Sequence, residues 1–145
     1  MATVNTQSAR ILVVDDDPGV RPLIADILTL DGHEVDTAEN GREALDRIAA
    51  RRYDLIMSDL RMPELDGIGL YRELERQHPD MLRRVAFVTG TTEPPEYQRF
   101  LADTGVPVLH KPFNIADLQG FVQRLLGHAR PWQQVDMSYG DGSGG

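Results

Sequence analysis

The chain has 145 residues, 41% hydrophobic and 26% charged, the proportions of one globular domain with a hydrophobic core rather than of a disordered segment. Its 23 acidic and 15 basic residues give a formal net charge of -8. That balance argues against attraction to nucleic acid or an anionic membrane, and is compatible with a carboxylate-rich cation site. There is no cysteine, which excludes disulfides, thiolate catalysis and cysteine metal sites.

The first residues, MATVNTQSAR, hold no apolar stretch that could serve as a signal peptide. No apolar run approaches the roughly 20 residues needed to span a bilayer. The expectation is a soluble, cytoplasmic protein. Residues 1–8 are small and polar, and residues 128–145 lose helical periodicity and end in glycine and serine. Both read as flexible tails around a domain at 9–127.

Within that domain, Ile11, Leu12, Val13 and Val14 form a short apolar run that ends in Asp15, Asp16 and Asp17. Val20, Leu23, Ile24, Ile27 and Leu28 recur at helical spacing and are closed by Asp31 and Gly32. Residues 33–38 alternate weakly as a second strand, and 41–51 carry Ala44, Leu45, Ile48 and Ala49 on one helical face. A third apolar run at 55–58 stops at Asp59. After a loop with Met62-Pro63 and Asp66-Gly67, a helix carries Leu70 and Leu74 to about His78. Residues 85–89 form a fourth strand, and 93–104 a helix opened by two prolines. Residues 106–110 form a fifth strand, before a last amphipathic face of Ile115, Leu118, Phe121, Val122, Leu125 and Leu126.

Strand and helix alternate five times along the chain. This predicts an α/β fold with a doubly wound parallel sheet covered on both faces. Short, wholly apolar strands suit such burial, and ligands of such folds bind beyond the carboxyl ends of the strands. Those ends are polar here: three aspartates after strand 1, Asp59 after strand 3, Thr89-Gly90 after strand 4, and His110-Lys111-Pro112 after strand 5. Taken singly, each has a plain structural explanation, as a helix cap, a strand threonine or a solvated lysine. Their conjunction on one edge points to phosphoryl chemistry. Clustered carboxylates suit Mg²⁺, and a carboxylate beside the ion can act as a nucleophile forming an acyl phosphate. An ammonium and a hydroxyl would hold the phosphoryl oxygens.

The segments ILVVDDDP, DLIMSDLRMPELDG, VAFVTG and HKPF stand in the order and spacing of the receiver domain of two-component response regulators, which this chain resembles from residue 10 to about 127. The resemblance implies a flavodoxin-like sheet of five parallel strands in the order 2-1-3-4-5, flanked by five helices. It implies that Asp59 accepts a phosphoryl group from the phosphohistidine of a histidine kinase or histidine phosphotransfer protein. It further implies that Asp16, Asp59 and the backbone carbonyl of Arg61 bind Mg²⁺ directly, with Asp15 bound through water and Asp17 adding charge without being a ligand. Thr89 corresponds to the switch hydroxyl, Lys111 to the lysine that contacts the phosphoryl group, and the Lys111–Pro112 bond is expected to be cis.

The position three residues before the lysine, often Tyr or Phe in that family, is Val108. An aromatic swing on phosphorylation is therefore not available there. Signal output is expected through the face formed by helix 4, strand 5 and helix 5, toward a protein partner rather than nucleic acid or membrane. The stretch from FVTGTT to GVPVLHKPF also resembles receivers attached to hybrid sensor histidine kinases. No output domain is expected in residues 128–145, which fits either a stand-alone receiver or one domain of a larger signalling protein.

Two alternatives remain open at this level. A haloacid-dehalogenase-type phosphatase also begins with Asp-x-Asp at a strand end, but has Thr or Val where this chain has Gly19, and a late acidic pair that is missing here. A receiver-fold docking module independent of phosphorylation usually lacks one of the acidic residues or the lysine, and here every such position is filled.

Overall fold

The computed structural model describes residues 8–90 and 95–128. Five strands, β1 (Arg10–Val14), β2 (Glu34–Ala38), β3 (Leu55–Ser58), β4 (Val85–Thr89) and β5 (Val108–His110), form one sheet in the order β2-β1-β3-β4-β5. Every pairing is parallel, with Val14 opposite Ala38 and Ser58, and Thr89 opposite His110. Between and after them run α1 (Val20–Leu30), α2 (Gly41–Ala50), α3 (Gly67–Gln77), α4 (Pro95–Thr104) and α5 (Ile115–His128). This is the expected doubly wound order.

Because successive strand residues face opposite ways, the apolar strands supply two cores. On one face Leu12, Val14, Ile56 and Phe87 pack against Ala44 and Ile48 of α2, Leu70 and Leu74 of α3, and Tyr97 and Phe100 of α4. On the other Ile11, Val13, Leu55, Met57, Ala86 and Val88 meet Ile24, Ile27 and Leu28 of α1 and Leu118, Phe121 and Val122 of α5. A sheet buried on both sides leaves its carboxyl edge as the place where polar groups can gather.

Local chemistry sets the element ends. Asn40 caps α2 by accepting the Glu43 N–H at 2.9 Å, and the Glu43 carboxylate accepts the Glu39 N–H in return. The α1 helix stops where Gly32 takes φ +96°, a left-handed value that disfavours any residue with a Cβ.

The structure differs from the sequence reading in two places. Pro79–Arg84 forms a 3₁₀ segment between α3 and β4 that was not expected. The strand expected at 106–110 is confined to Val108–His110, since Pro107 offers only its carbonyl, which accepts the Phe87 N–H at 2.9 Å. The helix expected from Glu93 is described from Pro95, its expected start lying outside the described residues. Of the two expected tails, residues 1–7 and 129–145 also lie outside them, while the Ser8 hydroxyl donates to the Gly32 carbonyl at 2.8 Å.

His33, only 8% exposed, precedes β2 and accepts the Ala9 N–H on Nδ1 at 3.1 Å. Burial lowers its pKa below the ordinary 6.5, against the opposing pull of the Asp31 and Asp54 charges. The unfolded chain therefore takes up this proton first as pH falls through 6.5, and folding stability declines in that window. His33→Asn keeps an acceptor near the Nδ1 position without titrating. Urea melts between pH 7 and pH 5 are expected to show a shallower pH slope for the variant, the difference bounded by one proton's worth, about 1.4 kcal/mol per pH unit.

Candidate functional site

The ladder of the central strands continues one residue beyond their apolar parts. Asp15 donates its N–H to the Ala38 carbonyl at 3.1 Å, and Asp59 donates its own to the Val14 carbonyl at 2.9 Å. The two aspartates are thus held side by side at the carboxyl edge by backbone, before any side-chain interaction is counted. Asp15 is 1% exposed and Asp59 9%, while Asp16 is open to solvent. One carboxylate oxygen from each of the three lies within 4.8 Å of the others.

Asp17 is used differently from its neighbours. Its Oδ1 accepts the N–H groups of Gly19 at 2.7 Å and Val20 at 3.2 Å, turning the chain into α1. Those bonds, that to Gly19 first, hold its carboxyl below the usual range. Asp17 thus serves the turn that leads into α1.

Lys111 compensates the buried pair. Its Nζ donates to Asp15 Oδ2 at 2.8 Å and to Asp59 Oδ2 at 3.0 Å. The backbone N–H of Lys111 bonds the Thr89 carbonyl at 2.9 Å, which fixes the root of the side chain. The second oxygens of the two acids are held by backbone, Asp15 Oδ1 by the Asp17 N–H at 2.9 Å and Asp59 Oδ1 by the Leu60 N–H at 2.7 Å. Arg21 of α1, which the sequence did not single out, adds a guanidinium bond to the Asp15 carbonyl at 2.8 Å.

Burial raises the Asp15 pKa, and the Lys111 and Asp17 donors offset part of that rise. For Lys111, burial opposes the charge, but the bonds it donates to Asp15 and Asp59 prevail and its pKa is raised. The ammonium therefore stays charged between the carboxylates of Asp15 and Asp59 and offsets their mutual repulsion.

The remaining expected residues stand on β4, β5 and the β3–α3 loop. Thr89, fully buried, ends β4. Arg61 stands on the β3–α3 loop, two residues past Asp59, with its side chain exposed. Val108 packs against the core cluster that contains Phe87, Tyr97 and Phe100. The Lys111–Pro112 peptide bond is cis, as expected. The β3–α3 loop is closed by the Gly67 N–H bonding the Leu60 carbonyl at 2.7 Å. A Cβ at residue 67 would lie 2.7 Å from the Asp59 carbonyl oxygen and 2.8 Å from Phe87 Cε1, so glycine is needed there. Asp66 caps α3, its Oδ1 accepting the Gly69 N–H at 2.8 Å.

An all-carboxylate donor set, acidic and at a sheet edge, matches the preferences of a hard divalent cation such as Mg²⁺ or Ca²⁺ better than those of a thiophilic metal.

Comparison with known proteins agrees with this architecture. The response regulator receiver domain family matches residues 11–123. The response regulator MprA of Mycolicibacterium vanbaalenii is 36% identical over 122 residues, covering 84% of this chain and 52% of the relative. Among solved structures, the chemotaxis response regulator CheY4 of Vibrio cholerae superposes with a TM-score of 0.72 at 32% identity, covering 81% of this chain and 98% of that one. The receiver domain of a signal transduction histidine kinase from Syntrophus aciditrophicus gives 0.75 at 33% identity, covering 86% and 94%. The chain belongs to the response regulator receiver domain family and has the receiver domain of a two-component response regulator. It spans about half the length of its MprA relative.

Removal of the Lys111 ammonium leaves two adjoining carboxylates without their shared donor. Lys111→Met is expected to lower folding stability at pH 7 by about 1–3 kcal/mol, the range for a partly buried charge that loses its partner. Urea denaturation with an unchanged slope is the measurement. A variant as stable as the wild type would show that the bridge contributes nothing to the fold.

Proposed function

We propose that this domain is the phosphoacceptor of a two-component system and that Asp59 carries the phosphoryl group. The observation that supports this best is the bridge itself. The Lys111 ammonium rests on Asp59 Oδ2 at 3.0 Å and Asp15 Oδ2 at 2.8 Å, at the edge where a phosphoryl group would have to be received.

In this reading an Asp59 carboxylate oxygen bonds to phosphorus as the N–P bond of a donor phosphohistidine breaks. The electron pair of that bond returns to the imidazole. Lys111 then gives up its bond to Asp59 and donates to a phosphoryl oxygen, as a preorganised cation at the point where charge develops. The Thr89 hydroxyl donates to another. Asp16 and Asp59 side chains and the Arg61 carbonyl would hold Mg²⁺, with Asp15 bound through water, and the bound ion would neutralise charge on the phosphoryl oxygens. The domain accepts one group and later loses it to water, so it acts as a switch rather than as a multi-turnover phosphatase. Its donor is a histidine kinase or histidine phosphotransfer protein. Its output passes through the α4–β5–α5 face to a protein partner in the cytoplasm, without direct contact with nucleic acid or membrane. Among the described residues, no helix is long and apolar enough to cross a membrane.

Incubation with acetyl phosphate and Mg²⁺ is expected to add the mass of one phosphate to the intact wild-type chain and none to Asp59→Asn, while Thr89→Ala still takes the label. Undiminished labelling of Asp59→Asn would refute the assignment.

Mg²⁺ is expected to raise the melting temperature of the wild type, because a ligand bound at tenfold its Kd to the folded state alone adds about 1.4 kcal/mol. Asp16→Ala should abolish the rise. A wild-type melting curve indifferent to millimolar Mg²⁺ would count against the metal site.

A further inference from the structure

The β5 position through which receivers often report their state holds a valine here. An aromatic side chain of α4 reaches the site loop through a polar group. Tyr97 is 6% exposed, and its hydroxyl donates to Asp66 Oδ2 at 3.2 Å, across 31 residues of sequence. That carboxylate is shared, since its other oxygen caps α3 through Gly69. The next residue, Gly67, touches the Asp59–Leu60 segment directly, its N–H on the Leu60 carbonyl at 2.7 Å, and so close to it that a Cβ there would fall 2.7 Å from the Asp59 carbonyl oxygen. From Asp59 to Gly67, to Asp66, to the Tyr97 hydroxyl, every link is a backbone contact, a peptide bond or a directional hydrogen bond.

The ring of Tyr97 sits in the same core cluster as Phe87, Phe100 and Val108. Phe100, the other buried residue of α4, meets Phe87 edge-on at 5.8 Å and Tyr71 at 5.1 Å. Such apolar contacts anchor the helix but tolerate sliding. The hydroxyl–carboxylate bond has a direction and a fixed partner. Burial, and after it the Asp66 charge, raises the Tyr97 pKa, so the phenol remains a donor.

We propose that Tyr97 is a positioning residue of the switch: its bond to Asp66 ties α4 to the β3–α3 loop, and α4 follows displacements of that loop through this bond. The coupling is a matter of geometry, whereas its use in signalling rests on the reading of Asp59 as phosphoacceptor. The small residue at 108 then has a physical meaning, because the aromatic coupling is carried from the helix rather than from the strand.

Tyr97→Phe keeps the ring and removes only the hydroxyl. Amide hydrogen exchange on the unmodified full chain is expected to accelerate about fivefold, one hydrogen bond's worth, both at Phe100 and Leu101 of α4 and at Gly67 and Gly69 of α3. A role confined to packing α4 would leave Gly67 and Gly69 unchanged, and that result would overturn the proposal. With beryllofluoride as phosphoryl mimic, the chemical-shift response of the α4 amides should fall to less than half of the wild-type response, while acetyl phosphate still labels Asp59. An undiminished α4 response would likewise overturn it. A wild-type chain that takes neither label nor mimic would instead refute the acceptor reading, and with it the signalling role. The exchange arm uses neither reagent and reports on the coupling separately.

Discussion

The structure depends on one electrostatic compensation: the Lys111 ammonium held between the carboxylates of Asp15 and Asp59. Two buried acids side by side would be strongly destabilising if left alone. The cation that offsets them is delivered by β5, beyond β4 and β3 in the sheet. The neighbouring elements follow from that requirement. Both faces of the sheet are sealed by helices, which leaves the carboxyl edge for charge. The root of the lysine is clamped to the Thr89 carbonyl, and the second oxygen of each acid is satisfied by a backbone N–H. Both oxygens of each buried acid are thus hydrogen-bonded by Lys111 or by backbone N–H groups.

The acidic residues illustrate how position divides chemistry between similar side chains. Asp15, Asp16 and Asp17 are consecutive, and any of them could cap the helix that follows. Asp17 instead bonds the turn before it, through the N–H groups of Gly19 and Val20. Asp15 turns inward under Lys111, and Asp16 remains exposed at the mouth of the cluster. In the β3–α3 loop Asp66 serves as both cap and anchor, with one oxygen on α3 and the other on the Tyr97 hydroxyl. A capping residue that is also bound from another helix links local secondary structure to tertiary position, which is why the start of α3 and the placement of α4 are not independent.

That linkage bears on how a receiver with Val108 can signal. A packed core does not deform continuously, so a displacement at one site is expressed elsewhere through elements with discrete arrangements. Among the described residues, α4 is held by the apolar contacts of Tyr97, Phe100 and Leu101 and by the oriented bond of the Tyr97 hydroxyl. The cation of Arg72 stands 5.5 Å from the Phe100 ring centre and adds attraction to that contact without fixing its orientation tightly.

Much of this was legible in the chain. The apolar runs at Leu55–Ser58 and Val85–Thr89 and the helical spacing of Ile24, Ile27 and Leu28 declare their elements because burial on both faces imposes a local pattern. The strand-end residues Asp15, Asp59, Thr89 and Lys111 could be collected on one edge because parallel strands all end on the same side. The 3₁₀ segment at Pro79–Arg84 could not be read, since it has no apolar period and its form is set by the elements it joins. Nor could the division of labour among three identical carboxylates, the Arg21 bond to the Asp15 carbonyl, or the reach of Tyr97 to a cap 31 residues away. Sequence by itself determined the alternation of strands and helices and the chemical kinds of group at the sheet edge, because periodicity and strand termination are local properties. Only the tertiary structure decided which oxygen each donor holds, because hydrogen-bond partners separated by dozens of residues are selected by distance and direction in space, which no local pattern encodes.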